Sequence, residues 1–354
     1  MLALQRIQVS ADMKKVLTIL LLIMTKFSFA QNVSSYSDID WKVQSIDAPT
    51  PDSLAKLLTV SYTTDLQKVR AIFSWIAQHI SYNTFVISSN RKFTSSKYVV
   101  QPDDTSAEWK SAIEMTAIKV LKKRTAVCDG YAKLFKTLCD YANVRSEIIT
   151  GYARGYMEGE NKFRSNHTWN AVMIDSVWKL LDVTWASGYI NYTNQFAPRL
   201  DDTYFLTPPQ QFIHDHYPED ITWTLMDDPP AMNEFKRMPY KGKSFVKYSI
   251  RSYSPTNGII EAAAGDSIRI ELRVKDAERD KHISPDPFFD STIIDRSPLS
   301  VFLSPSNRVG NKFIYTYVVP SAAVGWINVV YNNDVIMRYR LNIKKDVAVK
   351  LKGD

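Results

Sequence analysis

A thiol, an imidazole and a carboxylate occur in the order Cys128, His167, Asp182. That set can carry out nucleophilic chemistry: a sulfur to attack, a base to take its proton, and an acid to orient the base. The position of Cys128 adds to the case. Tyr131, Leu134, Phe135, Leu138 and Ala142 follow it at near-helical spacing and predict a helix with one buried face, ending near Asn143. Cys128 would then open this helix, where unpaired N–H groups and the positive dipole end favour a thiolate.

The other two residues need a sheet. Three strand-like runs follow, 146–154, 167–174 and 177–185, the last two separated by Asp175-Ser176. If that turn has two residues, Ile174 faces Val177, His167 faces Thr184 and Trp169 faces Asp182. His167 and Asp182 become diagonal neighbours on one face, about 7–8 Å apart at the backbone. One more residue in the turn would put them on opposite faces.

Other candidates are weighed against plainer roles. Cys139 lies next to the apolar face of the same helix and reads as a small buried hydrophobe. It lies eleven positions after Cys128, about 16 Å along the helix, so the two cannot bridge. An oxyanion formed during attack needs donors: the Cys128 backbone N–H is the first, and Tyr82 is a second candidate, with Trp75 and Trp109 as alternatives that also suit core packing. His214 and His216, with Asp215, Glu219 and Asp220, are the residue types of a surface metal loop, but no second cluster completes a closed site and no metal or cofactor is expected. His79 and His282 have no partner that the sequence can name.

The flanking residues carry a resemblance. Val127-Cys128-Asp129-Gly130-Tyr131-Ala132, His167-Thr168-Trp169-Asn170-Ala171-Val172 and Leu181-Asp182-Val183-Thr184-Trp185 resemble the core of the transglutaminase-like superfamily of papain-type thiol proteins. Ile72-Phe73-Ser74-Trp75-Ile76 with Ile80-Ser81-Tyr82 resembles the helix entering that core. The stretch from Tyr204-Phe205-Leu206-Thr207-Pro208-Pro209 to His216-Tyr217-Pro218-Glu219-Asp220 resembles its closing segment, in the branch that includes kyphoscoliosis peptidase and cytokinesis protein 3. The resemblance covers roughly residues 50 to 230. It implies an α+β core, with the helix carrying Cys packed on an antiparallel sheet, and acyl transfer from protein or peptide amides through a thioester. Cys128 would be the nucleophile, His167 the general base and acid, and Asp182 the orienting group, with His216 in a structural turn. Ala126 stands where family members often have Gly, which would narrow the approach to the thiol. The alternative is a binding or scaffolding module, as several members of the branch are, with the triad kept for structure; fold does not fix function.

The N-terminus reads as a secretory signal. Lys14 and Lys15 after Met13, an apolar run from Val16 to Met24, and Ser28-Phe29-Ala30 before Gln31 give the expected three parts. Met13 is then the true start, cleavage follows Ala30, and the protein is extracytoplasmic, periplasmic or secreted. The run is too short for a stable membrane span. Removing residues 1–30 leaves 40 basic and 36 acidic residues, a balance too mild to argue for nucleic acid.

At 354 residues the chain has room for two cored domains. The Pro-containing polar stretch from Asp227 to Lys243 predicts a linker, dividing a transglutaminase-like domain at 31–240 from a second at 241–354. Beyond it, strand patterns at 245–253, 267–274, 299–303, 313–319, 326–331 and 335–343 predict an all-β antiparallel sandwich, immunoglobulin-like in type, with an irregular loop over 275–298.

Overall fold

The computed structural model describes residues 36–85, 110–154, 165–191, 193–283, 299–320 and 324–344. The signal-like segment, Trp109 and most of the 275–298 interval lie outside them.

Two helices, α1 (Pro51–Thr59) and α2 (Asp65–His79), lead into β1 (Ser81–Tyr82). The Thr64 hydroxyl caps α2 by accepting from the Gln67 N–H. Next come α3 (Ala112–Lys123), β2 (Thr125–Ala126) and α4 (Cys128–Tyr141). Tyr131, Leu134, Phe135 and Leu138 on α4 are wholly buried, as the 3.6-residue period requires. The helix ends at Tyr141, and Asn143 two residues on takes a positive φ of 57°. A Cβ at Gly130 would lie 2.8 Å from the Ala126 Cβ and 2.9 Å from Val120, so glycine lets α4 sit close to α3 and β2.

A four-stranded antiparallel sheet supports α4. Its strands are β3 (Ser146–Ala153), β4 (His167–Ile174), β5 (Val177–Leu181) and β6 (His216–Pro218), in the order β5-β4-β3-β6. Asp175 and Ser176 both have positive φ, the signature of a two-residue type I′ turn, and Ile174 pairs with Val177. The third strand run stops sooner than its pattern predicts, at Leu181 rather than Trp185. Asp182 accepts hydrogen bonds from the Thr184 and Trp185 N–H groups and so starts a helical turn, α5 (Val183–Ala186).

From residue 240 the chain joins a different pair of sheets. Strand β7 (Tyr240–Lys241) pairs with β15 (Asp334–Ile343). Between them run β8 (Ile250–Ser254), β9 (Ile259–Ala262), β10 (Ser267–Val274), β11 (Ser300–Leu303), β12 (Asn307–Val309), β13 (Lys312–Val318) and β14 (Trp326–Tyr331). One sheet has the order β8-β10-β13-β12 and the other β9-β15-β14-β11. Both contribute to a single core, with Ile270, Leu272 and Tyr315 from the first and Ile327, Val329, Met337 and Tyr339 from the second.

Two differences from the sequence pattern stand out here. The second sheet is mixed, with β9 parallel to β15 and β11 parallel to β14. An antiparallel expectation follows from neighbours joined by turns, whereas these strands pair with partners remote in the chain. Residues 243–247 form a helical turn rather than the start of a strand, which puts Phe245 and Tyr248, at i and i+3, together in the core. No helix among the described residues is long and apolar enough to cross a membrane.

Candidate functional site

Cys128, His167 and Asp182 meet where the N-terminus of α4 faces the ends of β4 and β5. The His167 Nε2 lies 2.7 Å from Asp182 Oδ2, and the Cys128 thiol is near enough to the His167 ring to help hold its charged form. Because Nε2 serves the carboxylate, the thiol is left with the other ring nitrogen. This is the diagonal pairing that the two-residue turn sets up: Asn170 pairs with Leu181, which puts Trp169 opposite Asp182.

Electrostatics follow from burial and pairing. Burial alone would push the His167 pKa down, but the Asp182 carboxylate, its hydrogen bond and the contact with Cys128 outweigh that and hold it up at about 10. Burial opposes ionisation of Asp182 too, and the charges and N–H groups of His167 and His216 overcome it, keeping the acid well below the usual carboxylate range. Cys139 is the contrasting thiol: wholly buried, it has its pKa raised by desolvation.

Tyr82 reaches the site through pairing that the sequence pattern did not reveal. Strand β1 lies parallel to β2, with Tyr82 opposite Ala126, two residues before the cysteine. Burial, together with the charges of Cys128 and Asp182, raises the Tyr82 pKa, so the hydroxyl stays protonated and can donate. Trp75 does not join it, because its Nε1–H donates to the Ile46 carbonyl at 2.7 Å and its ring stacks on His79.

His216 is the residue that sequence reasoning placed wrongly. It lies in β6, wholly buried, rather than in a turn, with Nε2 3.0 Å from Asp182 Oδ2 and Nδ1 2.6 Å from Asp215 Oδ1. Pairing of β6 with β3 sets Ala153 opposite His216, while β3 sets Gly151 opposite His167, so both imidazoles lie on one face of the sheet. A Cβ at Gly151 would fall 2.5 Å from the Trp169 ring, so only glycine lets that indole pack beside both imidazoles. The rest of the supposed surface loop disperses: Asp220 caps a short helix, and His214 is held to a pKa of about 3 by burial and the nearby Lys241.

One nitrogen each from His167 and His216 and an oxygen from Asp182 lie within 4.8 Å of one another, a donor set of metal-binding type. The separations of 2.7 and 3.0 Å are those of hydrogen bonds. An ion would need bonds of about 2.0–2.2 Å to each ligand and removal of both Nε2 protons. We therefore read the cluster as a proton network.

Comparison with known proteins fits this arrangement. Residues 52–183 match the family model described as the transglutaminase-like superfamily. Kyphoscoliosis peptidase of Homo sapiens is 29% identical over 243 residues, covering 67% of this chain and 34% of the relative. Cytokinesis protein 3 of Schizosaccharomyces pombe is 26% identical over 266 residues, covering 72% of this chain and 27% of the relative. The chain thus spans only about a third or less of the length of these curated relatives. A solved structure described as a TGase aligns over 52% of this chain and 42% of its own at 14% identity and a TM-score of 0.24, an overlap too slight to carry an argument. Residues 52–183 thereby belong to the transglutaminase-like superfamily, and kyphoscoliosis peptidase and cytokinesis protein 3 are homologues of the chain.

Proposed function

We propose that the protein is a thiol enzyme that transfers the acyl group of a protein or peptide amide. Cys128 is the nucleophile. His167 takes the thiol proton and later gives it to the leaving amine, and Asp182 holds the ring in the required orientation. The Cys128 N–H and the Tyr82 hydroxyl would receive the negative oxygen of the tetrahedral intermediate. Water then completes hydrolysis of the thioester; an amine completes cross-linking. The observation that carries this reading is the 2.7 Å contact of His167 with Asp182 beside Cys128 at the start of α4.

A second reading draws on exposure. Cys128 is 3% exposed and His167 8%, which suits a binding or scaffolding module that keeps the three residues as buried structure. Labelling the purified protein with a thiol-directed electrophile separates the two: selective modification of Cys128 over Cys139 is expected of an enzyme, and equal inertness of both favours the module. Labelled peptides with and without an amine acceptor then distinguish cross-linking from hydrolysis.

Export and domain division complete the proposal. The signal-like order after Met13 gives a mature N-terminus at Gln31 outside the cytoplasm, to be read by N-terminal mass analysis. The separate cores on either side of residue 240 support two domains, the second an immunoglobulin-like sandwich. Limited proteolysis between Asp227 and Lys243 should leave two resistant fragments.

A further inference from the structure

We propose that His216 is a positioning residue for the reacting pair: a permanently charged, buried imidazolium, held by Asp215, whose Nε2–H fixes Asp182 against His167. The inference rests on the reading of Cys128, His167 and Asp182 given above, and it comes from counting protons.

Asp182 has no spare acceptor capacity. Oδ1 receives the N–H groups of Thr184 and Trp185 at 2.8 and 3.1 Å, and Oδ2 faces the Nε2 atoms of both His167 and His216. A proton on Asp182 would point at a donor, so the carboxylate is ionised and both Nε2 atoms carry hydrogen. Asp215 engages the other nitrogen of the His216 ring. Its Oδ1 lies 2.6 Å from His216 Nδ1, and its Oδ2 accepts from the Tyr204 hydroxyl at 3.1 Å. His216 therefore donates from both nitrogens and carries a positive charge between two carboxylates.

The surroundings keep it there. The ring stacks on Phe212 at 4.2 Å, with Trp185 at 4.5 Å and Trp169 at 5.1 Å. The titratable groups facing it are Asp182, Asp215, His167 and Tyr204, with Cys128 one contact further on through His167. Burial works against the charge, but Asp215 and Asp182 outweigh it and raise the His216 pKa. Sign then alternates along a chain of four groups from His167 outward: imidazolium, carboxylate, imidazolium, carboxylate.

The second imidazolium has a definite effect on the first pair. With ring centres 5.4 Å apart, it disfavours the charged form of His167 and favours the thiolate beyond it. Replacing it with a neutral donor of similar reach, His216→Gln, keeps a hydrogen bond to Asp182 and removes the charge. Both inflections in the pH dependence of Cys128 alkylation should then move up, by about one unit. A residue that served folding alone would lower the alkylation rate at every pH without moving either inflection, and that result would overturn the proposal.

A second measurement does not depend on a variant that folds. Nitrogen-15 spectra of histidine-labelled protein should show both His216 ring nitrogens protonated at pH 8, with His79, His167, His214 and His282 supplying the other signals. A single neutral tautomer of His216 at that pH would also overturn the inference. Failure of the enzyme reading looks different: Cys128 would resist alkylation in the unaltered protein while the spectra still counted two protons on His216.

Discussion

Asp182 and Asp334 are both wholly buried carboxylates, and they keep different company. Asp182 is held by two imidazoles and two backbone N–H groups. Asp334, in the second pair of sheets, receives the Lys247 ammonium at 2.9 Å and the Tyr248 hydroxyl at 2.6 Å. Amines and phenols ordinarily titrate near 10, imidazoles near neutrality. What separates the clusters is the neighbour: the Asp182 group adjoins the Cys128 thiol through His167 and can exchange a proton with it, whereas the Asp334 group holds an ammonium and a phenol in place. Burial of a charge is common to both, so partner chemistry decides which is a candidate for catalysis.

The widest gap between the two clusters should appear in turnover. Cys128→Ala is expected to reduce any amide turnover to background, and Asp182→Asn to reduce it roughly 10³- to 10⁴-fold by leaving the imidazole misoriented. Asp334→Asn should leave turnover within about twofold. Steady-state assays with the peptide identified by the acceptor screen make this check, and comparable losses at Asp182 and Asp334 would break the contrast. Cys139→Ala serves as the internal control, costing about 1 kcal/mol of packing in urea unfolding and no chemistry.

Stability should not separate the pair in this way, because both carboxylates are buried among donors. Asp334→Ala leaves Lys247 and Tyr248 without their shared acceptor, at a cost of about 3 kcal/mol, the low end for a broken buried pair because the Lys247 side chain is 28% exposed. Urea unfolding measures the loss. The pH profile of Cys128 alkylation should be unchanged in this variant, and a displaced profile would mean that the two halves are electrostatically coupled.

A pH series separates the clusters without mutating the second. His167 has a folded pKa raised to about 10 from an ordinary 6.5, so its contribution is fully present below pH 6.5 and is lost as pH rises towards 10. Asp182 is shifted the other way, so its contribution is present above its ordinary value of 3.8 and is lost as pH falls. Unfolding free energy should therefore decline between pH 7 and pH 10 by on the order of a few kcal/mol, and His167→Gln should flatten that decline. An equal slope in the two proteins would remove His167 as its source.

How much of this was legible before any coordinates depends on range along the chain. His167 and Asp182 sit either side of a two-residue turn, so alternation alone could bring them together. Cys128 declared itself by the apolar period after it. Tyr82 and His216 were harder, because both depend on pairing between remote segments: β1 beside β2, and β6 beside β3. The usable signals were slight: the Asp215-His216 pair within a closing segment, and Gly151 in the middle of an otherwise side-chain-rich strand. In the second half, long strands such as β10 and β15 read clearly, whereas β9 and β12 have only four and three residues and too little alternation to register. Asp182 as a helix cap was hidden for a related reason. Val183-Thr184-Trp185 has strand-favouring residues, and the local capping bonds override that preference.

The smallest expected effect concerns the two hairpin turns, one in each half. Asp175 and Ser176 adopt φ of 49° and 62°; Asn332 and Asn333 adopt 49° and 65°. Left-handed backbone costs about 1–2 kcal/mol for an ordinary L-residue, but asparagine tolerates it through local hydrogen bonding. Ser176→Gly should relieve part of that strain, offset by the greater freedom glycine adds to the unfolded chain, for a net gain of about 0.5–1 kcal/mol. Asn333→Gly starts from a better-suited residue and should gain less. Urea midpoints at constant slope read both. The first turn also carries the register that sets His167 diagonal to Asp182, so Ser176→Gly should leave Cys128 alkylation as it was; a fall in that rate with the stability gain intact would mean that the serine itself holds the pairing in step.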